Sequence, residues 1–74
     1  MKFGNEKYVS PLVQKLIEIR KQQGKSQTDL AWEMGYKTAG TLRQYEQGQT
    51  QPNLVNLTKW LEALDCHIEI KPNK

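Results

Sequence analysis

Residues 25–48 read KSQTDLAWEMGYKTAGTLRQYEQG, two short helical patterns hinged on Gly35, and no other stretch constrains the fold as much. Ser26-Gln27-Thr28-Asp29 has the S-x-x-D form of a capping box, in which serine and acid reciprocally satisfy backbone donors at a helix start. A helix from Gln27 to about Met34 follows, with Leu30, Ala31 and Met34 inward. Gly35 ends it where the chain must turn with positive φ. Thr38 is then expected to cap a third helix running to about Gln47, with Leu42 and Tyr45 inward and Gly48 as its stop. Ala31 is small where the third helix must pass closely, and Ala39, Gly40, Arg43 and Gln44 are left facing out.

The flanking sequence supplies two more helices. Ser10-Pro11 reads as a start, because serine caps free amides and proline at the first helical position gives up a donor that had no partner. Leu12, Leu16 and Ile19 then repeat at helical spacing, Val13 and Ile17 widen the stripe, and Gly24 stops it. Pro52-Asn53 opens a fourth helix whose stripe is Leu54, Leu57, Trp60, Leu61 and Leu64. Beyond Asp65 the period changes: His67-Ile68-Glu69-Ile70-Lys71 alternates, which predicts a short strand at about 67–71. The fold class expected is all-α, a bundle of four to five helices with a short C-terminal strand. Seventy-four residues suffice for one small domain, 1–74, with its core at about 12–65.

The composition, 36% hydrophobic and 26% charged, is that of an ordinary globular chain rather than a disordered one. A net charge of +3 permits a polyanionic partner without demanding one. The excess is concentrated early, where Lys2, Lys7, Lys15, Arg20, Lys21 and Lys25 face only Glu6 and Glu18. Lone Cys66 cannot form an internal disulfide, and no apolar run has the length of a membrane span or resembles a signal peptide. A cytoplasmic location is the default expectation. Cys66 and His67 are too few for a metal site and would project to opposite faces of a strand. No serine, histidine and carboxylate are spaced suggestively, so neither enzyme chemistry nor a cofactor is expected. The polar ends, Met1 to Val9 and Lys71 to Lys74, are expected to fray.

A helix reads the major groove only if it is held outward at its N-terminal end while its inner face is packed, and a short preceding helix crossing it gives that support. The spacing provides for this. Leu16-x-x-Ile19-Arg20, Ser26-Gln27-x-x-Leu30-Ala31, Gly35, Thr41-Leu42, Glu46-x-Gly48 and Pro52 together resemble the Cro/C1 (Xre-type) repressor domain over roughly Leu12 to Asp65. The resemblance implies a lambda-repressor-like, helix-turn-helix bundle that binds double-stranded DNA, usually as a dimer on a palindromic operator.

Carried over position by position, the resemblance places Gln27 on a DNA phosphate, bracing recognition-helix side chains. It places Thr38, Ala39, Gly40, Arg43 and Gln44 on the outward face of the recognition helix, taken as Thr38 to Gln47. Gln44 suits adenine, Arg43 suits guanine or a phosphate, and Ala39 suits a thymine methyl. Gln47, with Gln49, Thr50 and Gln51 on the following loop, falls where the family places phosphate contacts. Arg20 and Glu46 match a family ion pair that joins the first helix to the third. One departure is that the interval from Gly35 to Leu42 is seven residues, where most members have six. A second is Gly40, since glycine within a first turn costs about 1 kcal/mol against alanine unless backbone and DNA must come close.

Two functions follow. One is a dimeric transcriptional repressor, with Ile68 and Ile70 facing the helical core from a strand that pairs across a two-fold axis; the other reading of that segment is a tail on its own monomer. A strand in place of a last helix is similar to some antitoxins of toxin-antitoxin operons. The alternative function is therefore an antitoxin or other module whose main role is to hold a protein partner. Trp60 is expected in the core, whereas Trp32 either packs under the N-terminal arm or marks an interface.

Overall fold

The computed structural model describes residues 8–72, in which four helices pack around one core. They are α1 (Pro11–Gln22), α2 (Gln27–Glu33), α3 (Gly40–Gln47) and α4 (Leu54–Ala63). Three of the starts are capped by the side chains the sequence marks, although at Ser26 only the serine half of the expected capping box forms and the Asp29 carboxylate does not return to the Ser26 amide. The Ser10 hydroxyl accepts from the Val13 amide, the Ser26 hydroxyl from Asp29 and the Asn53 side chain from Asn56, at 3.1, 3.0 and 2.8 Å. The core comprises Val13 and Leu16 of α1, Leu30 and Ala31 of α2, Leu42 and Tyr45 of α3, and Trp60 at the heart of α4. Tyr45 stacks on Trp60 with ring centroids 6.1 Å apart, and Asn56 donates to the Tyr45 hydroxyl at 3.0 Å. These contacts set α4 behind the inner face of α3.

Several expectations need correction. There is no fifth helix and no strand among the described residues, and residues 66–72 carry no regular structure. Alternation alone cannot make a strand, because a ladder needs a neighbour whose backbone is unpaired. Ile68 and Ile70 accordingly do not face the core; both are exposed. Thr38 does not cap α3, which begins two residues later at Gly40, with Ala39 at the cap position in helical geometry and no side-chain cap. The Thr38 hydroxyl reaches only the Gly40 amide, at 3.4 Å. Ala39 was expected outside but is 7% exposed. With the longer turn it falls three residues before Leu42 and six before Tyr45, in register with the inner row of α3. Leu54 was assigned to the core stripe and is 78% exposed, since it is the first residue of α4 and precedes the turn that packs.

At the N-terminal approach to α1, Tyr8 and Val9 are tied to the bundle. The Tyr8 amide donates to the Gly48 carbonyl at 3.1 Å and the Tyr8 carbonyl accepts from Gln51 Nε2 at 2.8 Å, while Val9 packs against the core. The fraying expected of residues 8 and 9 does not occur, and Lys71 and Pro72 are exposed without regular structure; the rest of that expectation, at 1–7 and 73–74, lies outside the described residues. Gly48 makes this docking possible. It ends α3 at φ +78°, and a Cβ there would stand 2.8 Å from the Tyr8 backbone. The other end of the bundle is closed from the α1–α2 connection, where Gln23 donates to the Leu64 carbonyl and Lys25 to that of Ala63, each at 2.8 Å. No helix among the described residues is long and apolar enough to cross a membrane.

Two buried polar groups, the Tyr36 hydroxyl and Trp60 Nε1, have no hydrogen-bond partner among the described residues. The Tyr36 hydroxyl lies in the interior without an aligned hydrogen bond. Burial, with the nearby Tyr45 side chain adding to it, pushes its pKa up to about 12. The unfolded chain ionises near pH 10, so the native state holds this proton more tightly. The resulting stability is complete below about pH 10 and is lost as pH rises from there toward about 12. Tyr36→Phe is expected to be as stable as the parent or about 1 kcal/mol more stable at pH 7. Urea melts compared at pH 7 and above pH 10 should show the parent losing more than the variant. Equal alkaline losses would show that the hydroxyl is not held in its neutral form.

Candidate nucleic-acid interface

The exposed side of α3 carries Arg43, Gln44 and Gln47, with half-buried Gly40 at its head. Their spacings of three and four residues make one compact patch on a helix surface. Arg43, Gln44 and Gln47 make no side-chain hydrogen bond within the described residues, so their polar groups are free for an external partner. Lys37 and Thr38 extend the patch from the turn, both exposed. Ala39 does not contribute its methyl, which is packed inside.

The inner side of α3 is fixed by an ionic network as well as by Leu42 and Tyr45. Arg20 of α1 meets the Glu46 carboxylate in a two-pronged pair, Nε to Oε2 at 2.9 Å and Nη2 to Oε1 at 3.0 Å. Its remaining nitrogen, Nη1, donates to the Lys25 carbonyl at 2.8 Å. Both side chains are about nine-tenths buried, at 10% and 6% exposure. Gln27 joins the same carboxylate, Nε2 to Oε1 at 3.0 Å. A carboxylate only accepts, which fixes the Gln27 amide with its nitrogen toward Glu46. One N–H of that amide group and its carbonyl oxygen remain available at the first turn of α2. The guanidinium thus spans the end of α1, the entry to α2 and the last turn of α3, and Gln27 is tied to α3 through Glu46.

Gly40 has no internal reason to be glycine. A Cβ there would meet only the Thr38 hydroxyl, at an ordinary 3.6 Å. The loop after α3 presents Gln49, Thr50 and Gln51 at the surface. Of these, Gln51 is committed to Tyr8. Lys25, counted in the sequence among the early excess of cations, is also committed, to Glu33 at 2.7 Å and to the end of α4. Sequence reasoning missed both engagements, because a side chain reaching a carbonyl 38 residues away leaves no local pattern.

Trp32 stands on the outer side of α2 and is 69% exposed. Neither Cys66 nor His67 belongs to any group of three or more metal-ligating side chains among the described residues.

A helix-turn-helix family model matches residues 16–71. No curated protein and no solved structure matches the chain. The matched segment runs from the middle of α1 through all of α2, α3 and α4, and the crossed pair α2–α3 with its outward polar face is the part that gives the family its name. The chain belongs to the Cro/C1-type helix-turn-helix family of DNA-binding regulators.

Proposed function

We propose that the protein is a sequence-specific repressor that binds a palindromic operator as a dimer, with α3 in the major groove. The observation that carries this reading is the contrast between the two sides of α3. Its inner side is locked by Leu42, Tyr45 and the buried Glu46 pair, while Arg43, Gln44 and Gln47 stand outward with unsatisfied hydrogen-bonding groups. Gln44 reads adenine, Arg43 reads guanine or grips a phosphate, and Thr38 and Gln47 bound the contact at either end. Gln27, held by Glu46, offers its remaining N–H to a phosphate at the start of α2. Ile68 and Ile70 are exposed apolar side chains that a second protomer would cover. Two protomers would then present their α3 helices to half-sites about 34 Å apart.

Selection of bound duplexes from a random library at near-physiological salt tests this reading. An enriched inverted repeat is expected. Absence of enrichment from folded protein would overturn it in favour of a second reading, an antitoxin or similar module that holds a protein partner, which exposed Trp32 favours.

Gly40 supplies a separate check. Gly40→Ala is expected to stabilise the fold by up to about 1 kcal/mol, because the methyl group fits and alanine loses less entropy in a helix. The same methyl is expected to weaken operator binding by holding the duplex away from the backbone of α3. Unchanged affinity in a stabilised variant would show that DNA does not approach closely there.

A further inference from the structure

The chain before α1 is fastened on two sides. Gln14 Nε2 of α1 donates to the Val9 carbonyl at 2.9 Å, and Ser10 caps the helix. One residue earlier the bonds run to the loop after α3, where Gly48 accepts from the Tyr8 amide and Gln51 donates to the Tyr8 carbonyl. Tyr8 and Val9 thus form a strap from α1 to residues 48–51. Apart from the closure of α3 by the Gly48 and Gln49 amides, the strap supplies the only hydrogen bonds to residues 48–51 among the described residues.

What the strap leaves open is a set of donors. Gln49, Thr50 and Gln51 are all exposed, and the side chains of Gln49 and Thr50 make no hydrogen bond among the described residues, nor do the amides of Thr50 and Gln51. None of these groups carries charge, yet a phosphate oxygen can accept from every one of them. The eight residues of α3 span about 12 Å, close to the roughly 12 Å width of the major groove. With the outward face of α3 in the groove, the chain that leaves its C-terminal end therefore stands beside a row of phosphates.

We infer that Tyr8 and Gln51 are positioning residues for DNA binding, holding residues 48–51 so that their free donors meet one phosphate at the edge of the groove. This rests on the reading of α3 above. It moves Gln51 from the contact to its support: the side chain is exposed, yet its amide is turned inward on the Tyr8 carbonyl. An unfastened loop would lose backbone freedom on meeting the duplex, and that loss would offset much of what an uncharged contact contributes. The strap places the loss in folding, before DNA arrives. Gly48 is part of the device, since a Cβ there would stand 2.8 Å from the nitrogen, carbon and oxygen of the Tyr8 backbone.

Gln51→Ala releases one end of the strap and is the variant to test. Its bond is exposed, so the urea midpoint should stay near that of the parent. In the free chain, backbone amide relaxation should show residues 49–51 gaining fast motion while α3 does not change. On DNA the variant should bind every duplex about three- to tenfold more weakly. Base preference and salt dependence should both be unchanged, because an uncharged contact displaces no counterion. Single methylphosphonates placed along each strand locate the contact. At one position the neutral group should weaken the parent and leave Gln51→Ala unaffected, and at every other position it should act on both chains alike. Unchanged loop motion in free Gln51→Ala overturns the role of the strap, whatever the DNA result. Greater motion with full affinity, or the same methylphosphonate pattern in both chains, overturns the phosphate contact and leaves the reading of α3 intact. A change of preference at one base pair would overturn it too, by making Gln51 a reader of bases. A parent that binds no duplex even at low salt overturns the DNA reading, and this inference with it.

Discussion

Replacing Glu46 with alanine is expected to cost about 3–5 kcal/mol of stability, because it leaves the Arg20 guanidinium nine-tenths buried without its counter-charge. Roughly 4–11 kcal/mol is the whole stability expected of a chain this size, at about 0.05–0.15 kcal/mol per residue. Glu46→Ala should therefore be partly unfolded at 25 °C or lose most of its urea midpoint. The loss comes from the stranded partner. Arg20→Met combined with Glu46→Leu removes both charges at similar volume and is expected to recover most of the stability, since a buried pair must offset the cost of taking two ions out of water. Denaturant melts of both single variants and the double variant complete the cycle. A loss below about 1 kcal/mol in Glu46→Ala would mean that water reaches the pair and screens it. The double variant also separates folding from function, since it leaves Gln27 without the carboxylate that fixes its amide.

Gln44→Ala is expected to leave stability nearly unchanged and to reduce discrimination at one operator position by about 1–3 kcal/mol, or roughly 5- to 150-fold in relative affinity. Competition binding against each single-base variant of the selected half-site measures this directly. The control is Lys21→Ala at the exposed end of α1, which should weaken every sequence alike and reduce the salt dependence by about one counterion. If both variants lower all affinities equally, Gln44 grips backbone rather than reading bases.

What the sequence made legible was what is local. Ser10, Ser26 and Asn53 cap helices because their side chains need only reach amides three residues on, and those spacings are visible in a bare string. The inner positions Leu16, Leu30, Leu42, Trp60 and Leu64 followed from helical period. Ala39 was misplaced because the register of α3 depends on where its first turn closes, and the extra residue after Gly35 shifts that point. The segment from His67 to Lys71 has a strand's alternation, but forming a strand is a property of a pair. The Arg20–Glu46 pair, 26 residues apart, was legible only through family resemblance. The grip of Gln23 and Lys25 on the end of α4 matched no pattern, local or familial. Of the candidate interface, the polar face of α3 could be read in advance, whereas the fixing of Gln27 through Glu46 required coordinates.

The division of α3 into a fastened side and a free side also bears on how such a protein acquires a new target. Arg43, Gln44 and Gln47 take no part in holding the bundle together, so exchanging them should usually shift stability by no more than about 0.5 kcal/mol. A lineage can therefore move from one operator to another through intermediates that all fold. A designer can likewise rewrite the recognition surface while leaving Arg20, Gln27 and Glu46 alone.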